Sequence, residues 1–313
     1  MAYLDKKLKL KHPIIMAPMF LVSNVNMIIS AHKCGIIGCL PAHNFRTQEA
    51  LEKALQELTD KKIKFGMNLI VNKSNTNYEW QIESVLKFGC DFIITSLGNP
   101  KNTIELAHKQ NIIVFCDVTN IEYAKKCEAL GADAVVGVSS DAGGHLGQIP
   151  SAELTKILKQ NIDIPVLSSG GVGDYKSYHS HLKNKSDGVL IGSVFIACTE
   201  SEVNHKYKQA MVDYTDKDIV ITSKLSGTPC TIINTPAVQK MGTEENWIEK
   251  ILNRNKSLKK LLKKIRFLRS WKTLEKAAFS ANYDSIWCAG KSIKYVKSIE
   301  PVKKIVERIT KKV

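Results

Sequence analysis

The sequence predicts an α/β fold: a parallel (β/α)8 TIM barrel carrying a small, mainly helical insertion near the C-terminus. Three observations predict it. Eight short runs rich in Ile and Val alternate with longer helical stretches. Several of those runs are continuously apolar, which demands burial on both faces, as parallel strands under helices require. At 313 residues the chain is long for one compact domain and short for two large ones, while barrels of this type run to about 250 residues as one unit. A doubly wound open sheet is the alternative, but eight strands each followed by a helix suit a closed ring better.

Taken in order, the candidate strands are residues 13–17, 36–40, 65–71, 91–95, 112–116, 133–138, 165–168 and 187–191. Apolar residues at helical spacing mark 48–59, 78–88, 103–110, 121–130 and 152–160. Gly89 and Gly131, just ahead of the fourth and sixth strands, suit helix C-caps. The eighth strand ends near Gly192, and Thr199-Glu200-Ser201-Glu202 has the capping-box spacing that starts a helix. After Tyr214 the rhythm changes. Residues 219–222 and 231–233 are candidate short strands, and a Lys-rich helical region follows as far as Asn282. Residues 298–312 return to an amphipathic helix through Ile299, Val302, Ile305, Val306 and Ile309. The expected organisation is a barrel over 1–214, an insertion on the substrate side over 215–282, and a closing helix within 283–313.

Composition narrows the class. Hydrophobic residues make up 44% of the chain, enough for a sizeable core, and no apolar run approaches the roughly 20 residues of a membrane helix. Met1 to His12 is Lys-rich but lacks the apolar stretch and cleavage site of a signal peptide, so the expectation is a cytoplasmic enzyme. Eight cysteines without a C-x-x-C pair, most within apolar runs, read as buried free thiols. The net charge of +15 owes much to residues 253–276, where ten Lys and Arg face one acid, Glu275. Leu258, Leu261, Leu262, Ile265 and Leu268 recur between them, so a solvated face opposite a buried stripe is the plain reading. A patch for an anionic substrate or carrier is the second. No recognition motif accompanies the charge, so nucleic acid is not expected.

In such a barrel, chemistry sits where strands end. Those ends include Ala17-Pro18-Met19, Asn68, Asp117, a glycine-rich loop from Asp141 and Ala142 through Gly143, Gly144 and His145 to Gly147, then Gly170-Gly171 and Gly192-Ser193. The last two ends are a recurrent phosphate position, and glycines there let backbone N–H groups approach phosphate oxygens. Turn glycines alone are the plainer reading of either end. His145 lies among glycines that free its ring to reach the mouth, and imidazole can take a proton near neutral pH. The other histidines lack that context; His179 and His181 are expected at the surface. Asn68 offers an amide that both donates and accepts, suited to a heterocycle or to tying a strand end. No residue cluster has metal-ligand spacing.

Several of these residues stand in an ordered set of motifs. They run Pro13-Ile14-Ile15-Met16-Ala17-Pro18-Met19, Val22-Ser23, Gly66-Met67-Asn68-Leu69, Ile94-Thr95-Ser96-Leu97-Gly98, Gly131-Ala132-Asp133-Ala134, Ala142-Gly143-Gly144-His145-Leu146-Gly147 and Gly192-Ser193-Val194-Phe195. Later come Ser226-Gly227-Thr228-Pro229 and Trp287-Cys288-Ala289-Gly290. In these the chain resembles the nitronate monooxygenase family, whose motifs are shared by FMN-dependent enoyl-acyl-carrier-protein reductases. The resemblance implies FMN at the C-terminal face. Ala17, Pro18 and Met19 would line the flavin and Asn68 would bond its ring. Asp141, Ala142, Gly143 and Gly144 would approach it, and Gly170, Gly171, Gly192 and Ser193 would hold its phosphate. His145 would be the catalytic base. It implies a small anionic substrate, an alkyl nitronate, with O₂ as oxidant; an NAD(P)H-dependent reductase of enoyl thioesters or quinones is the alternative. A non-catalytic flavin- or anion-binding protein is a third reading. No membrane or nucleic-acid partner is implied, and a homodimer is compatible with it. Two positions depart from the family pattern: Val194 stands where relatives often have arginine, and Asp117 where some carry a lysine.

Overall fold

The computed structural model describes residues 2–225, 228–243 and 286–312. Its strands are β1 (Ile14–Met16), β2 (Ile37–Pro41), β3 (Phe65–Ile70), β4 (Phe92–Ser96), β5 (Ile113–Val118), β6 (Ala134–Val138), β7 (Gly144–His145), β8 (Val166–Ser169) and β9 (Val189–Ile191), then β10 (Ile219–Thr222) and β11 (Cys230–Ile233). All from β1 to β9 except β7 join in parallel, in chain order, into a closed barrel. The seam is the pairing of β1 with β9, Ile14 opposite Val189 and Met16 opposite Ile191. The eight expected strands are thus the eight of the ring.

Alternation along each strand explains why the runs read as continuously apolar. Ile15, Ile37, Phe92, Ile94, Phe115, Val136, Leu167 and Leu190 point inward and fill the barrel, while Leu40, Met67, Ile93, Val114, Val135 and Val166 point outward under the helices. Phe92 and Phe115 stack at 5.0 Å at the centre. Gly66 makes that possible, since a Cβ there would lie 2.1 Å from the Phe92 ring.

The helices are α1 (Tyr3–Leu8), α2 (Val25–Lys33), α3 (Gln48–Asp60), α4 (Tyr78–Phe88), α5 (Lys101–His108), α6 (Ile121–Ala129), α7 (Ser151–Asn161), α8 (Tyr175–Lys183), α9 (His205–Asp213), α10 (Pro236–Met241) and α11 (Val302–Thr310). Asn24, Thr47, Asn120 and Asp174 cap α2, α3, α6 and α8, each side-chain oxygen accepting a backbone N–H of the first turn. Gly89 caps α4, and Gly131, at φ +88°, follows α6. The N-terminal residues are not simply a lead into β1. Leu4 and Leu8 of α1 join the interior cluster and plug the ring at the N-terminal ends of its strands. At the other end of the chain α11 packs Val302, Ile305, Val306 and Ile309 against α2 and α8, completing the helical shell.

The expected helix start at 199–202 is not realised. The helix begins at His205, capped by Asn204. Thr199, the expected cap, donates its hydroxyl to Glu200, Glu202 accepts from Asn26, and the Glu200 carboxylate accepts the Val302 N–H at the start of α11. In the segment 215–282, β10, β11 and α10 are described; Ser226-Gly227 and the Lys-rich stretch 253–276 lie outside the described residues. All eight cysteines are free thiols, five of them buried, as expected. Among the described residues, no helix is long and apolar enough to cross a membrane.

Candidate active site

The C-terminal rim divides into two unlike walls. On β3, β4 and β5 the inward face changes character toward its C-terminal end. Phe92 and Ile94 lead to Ser96, Phe115 leads to Asp117, and Gly66 leads to Asn68, each pair lying two residues apart on one face. The three polar side chains are linked in a row. The Asn68 amide donates to the Ile94 carbonyl at 3.1 Å and to the Ser96 hydroxyl at 2.8 Å. Ser96 donates to Asp117 Oδ2 at 2.5 Å. Both bonds of Asn68 leave from its nitrogen, and the carbonyl partner fixes that orientation, so Oδ1 remains to accept from a ligand. Asp117 Oδ1 is enclosed and has no hydrogen-bond partner. Burial pushes this carboxyl up to about 6, with the Ser96 hydroxyl pulling the other way.

The opposite wall, from β6 round to β1, is mostly backbone. Gly170 and Gly171 follow β8 at φ +107° and +81°, a conformation that favours glycine. A Cβ on Gly170 would stand 2.4 Å from the Ala142 nitrogen, so the sixth and seventh barrel loops touch through main chain. Gly143 packs as closely on Ser193 and Gly290. Ser193, at the head of a single 3-10 turn, accepts the Gly290 N–H at 2.8 Å and keeps its own hydrogen to donate. Gly192 borders Ala17 and Met19. That first-strand turn is held by Ser23, whose hydroxyl accepts the Met19 N–H and donates to the Ala17 carbonyl. Asp141 offers this wall its backbone alone; its carboxylate accepts the Ser151 N–H that opens α7.

His145 is not in a free glycine loop. It forms β7, paired antiparallel with β11 so that His145 faces Cys230 and Gly144 faces Thr231, and the Gly144 N–H donates to the Thr231 hydroxyl at 2.9 Å. Its ring is solvent-accessible yet surrounded by protein mass, as in a concave mouth, and that desolvation lowers its pKa. The imidazole is therefore neutral, and able to accept a proton, at pH 7.

His181 corrects another expectation. It is not a surface residue but bonds the Ser168 hydroxyl through Nδ1 at 2.7 Å, and burial lowers its pKa against the opposing pull of Asp141. With Asp141, Ser151, Gly171 and Lys291 it lines a cleft of about 270 Å³. Among the described residues no group of side chains could hold a metal ion. Sequence reasoning gave no role to Ser96, Gly290 or Thr231. Ser96 was within reach, as the next inward residue after Phe92 and Ile94. Thr231 was not, since its contact spans 87 residues.

Fold and rim together define the class: a (β/α)8 enzyme whose polar side chains and glycine backbone converge on the C-terminal ends of its strands. The model of one family, nitronate monooxygenase, matches residues 2–312. The chain belongs to that family and is a flavin-dependent oxidoreductase. A probable nitronate monooxygenase of Staphylococcus aureus is 25% identical over 288 residues, covering 77% of this chain and 81% of that protein. A (3aS,4S,5R,7aS)-5-hydroxy-7a-methyl-1-oxo-octahydro-1H-indene-4-carboxyl-CoA dehydrogenase of Rhodococcus jostii is 25% identical over 234 residues, 74% of this chain and 65% of that protein. The structure of FabK from Thermotoga maritima superposes with a TM-score of 0.84 at 23% identity, covering 99% of this chain and 94% of that one.

Proposed function

We propose that the mouth holds FMN and that the enzyme oxidises alkyl nitronates with O₂ to a carbonyl compound and nitrite. The division of the rim carries this reading. In an eight-stranded ring, β3–β5 face β8–β9 across the mouth, so an elongated cofactor with a phosphate at one end and a polar heterocycle at the other spans the two walls. Backbone N–H groups at Gly170, Gly171 and Gly192, with the Ser193 hydroxyl, would hold the phosphate. Ala17, Pro18 and Met19 would line the ring from the seam. Asn68 Oδ1 would accept from a ring N–H. Gly143 and Gly144, with the main chain of Asp141 and Ala142, would form the near side. Bound there, the flavin supplies the redox chemistry.

His145 holds or moves the proton. As neutral imidazole it would deprotonate a nitroalkane at carbon; once protonated it would pair with the nitronate so formed. Replacing it by Asn should cut turnover of neutral nitroalkanes by about 10²–10⁴-fold and spare preformed nitronates. Equal losses on both would remove His145 from the role of base.

A second reading is an NAD(P)H-dependent flavin reductase of enoyl thioesters or quinones, and the Rhodococcus relative, named as a carboxyl-CoA dehydrogenase, supports a thioester as the substrate class. Anaerobic mixing of the yellow protein with NADPH separates the two. Persistence of the oxidised spectrum, followed by O₂ uptake and nitrite release on adding a nitronate, supports the first; rapid bleaching by NADPH supports the second.

A further inference from the structure

Three linked side chains on adjacent strands end on a carboxylate that the base role of His145 leaves unused. Asp117 has one oxygen bonded to Ser96 and the other enclosed without a donor. The titratable side chains that feel its charge are thiols, Cys39 on β2, Cys116 on β5 and Cys127 on α6; burial and the Ser96 hydroxyl are what act on Asp117 itself. A carboxylate so placed can respond to a negative charge arriving in the mouth in one way only: by taking a proton on Oδ1.

We propose that Asp117 is a positioning residue that takes up a proton when the cofactor beside the Asn68–Ser96–Asp117 row becomes negatively charged, and gives it back on reoxidation. This rests on the flavin reading above. Two-electron reduction with uptake of one proton would leave a bound flavin with one more negative charge. A second proton, from solvent, neutralises Asp117. Ser96 is the coupling element. While Asp117 is ionised, the hydroxyl hydrogen of Ser96 is committed to it, and the amide of Asn68 is held by the Ser96 oxygen. Asn68 is thus kept with its carbonyl oxygen toward the ligand.

The sign follows from the charges. Burial puts the Asp117 carboxyl at about 6, and a negative charge arriving beside it raises that further. Between pH 6 and that raised value, therefore, reduction takes up as much as one proton more than the flavin alone requires.

The test is the midpoint potential of FMN-loaded protein from pH 5 to 9, by mediated spectroelectrochemistry, for wild type, Asp117→Asn and Ser96→Ala. Wild type should lose an extra tenfold in its reduction equilibrium constant per pH unit over a window opening at pH 6, which is about 30 mV per unit for two electrons. Asp117→Asn should lack that extra slope and sit at higher potential throughout the window. Ser96→Ala removes the hydroxyl that favours the ionised carboxylate, so its window should open at higher pH; this variant decides the matter if Asp117→Asn does not fold. Parallel lines for flavin-loaded wild type and Asp117→Asn, or an unmoved window in Ser96→Ala, overturn this inference alone. Wild-type protein that takes up no FMN overturns the flavin reading with it.

Discussion

The two walls of the mouth are built by opposite means. Across β3–β5 three side chains, Asn68, Ser96 and Asp117, present oxygen and nitrogen atoms in a hydrogen-bonded row. From β6 to β9 side chains are withdrawn and the main chain is the surface, with Gly143 and Gly170 at the points of closest approach. The difference teaches what each wall can tolerate. A side-chain wall can be retuned one group at a time and can carry charge that responds to pH. A backbone wall is steric and all-or-none, because its loops touch through atoms that every residue has.

Breaking the backbone wall should cost most. Gly170→Ala forces an unfavourable left-handed φ and drives a Cβ toward the Ala142 nitrogen, so a loss of about 3 kcal/mol or more is expected. It should be read as a fall in urea midpoint together with loss of bound flavin. A variant as stable as wild type would show that the loops can separate freely.

On the side-chain wall the effect should be smaller and pH-dependent. The fold raises the Asp117 carboxyl from 3.8 to about 6, so it favours the protonated form. The stability this lends is fully present below the unfolded value and is lost as pH rises through 6. At pH 8 the flavin-free wild type should therefore be less stable than Asp117→Asn by roughly 2–3 kcal/mol, and the two should converge toward pH 4. Urea unfolding at both pH values checks it; a gap that stays constant with pH would assign the difference to packing.

The smallest expected effect probes the strut that joins the backbone wall to the segment beyond it. Thr231→Val keeps the shape of a buried side chain but leaves the Gly144 N–H without its acceptor, costing about 1 kcal/mol. Since Gly144 and His145 form one strand, turnover of neutral nitroalkanes should fall several-fold more than turnover of nitronates. Equal rates for wild type and variant would mean that β7 is held well enough by its pairing with β11.

Much of this was legible beforehand, for identifiable reasons. Strand runs such as 133–138 announce themselves because both faces are buried, and alternation then assigns Phe115 inward and Val114 outward. Gly170-Gly171 could be placed at a strand end from sequence because glycine pairs there have few other uses. The expected helix start at Thr199 is not realised because Thr199 donates its hydroxyl to Glu200 and Glu202 accepts from Asn26; capping spacing is local, and competition for its groups is not. His145 reads from sequence as a residue freed by glycines, whereas a strand from much later in the chain fixes it.

Periodicity, apolar runs and glycine position are properties of neighbours along the chain, and they determined the ring of eight strands and the strand ends at which the glycine pairs and His145 lie. Tertiary structure alone decided that Asn68, Ser96 and Asp117 act as one row, that Gly290 closes on Ser193, and that β11 sets the register of the histidine. Such contacts join residues whose separation in sequence carries no signal, because their energy comes from shape and desolvation that exist only once the ring has closed.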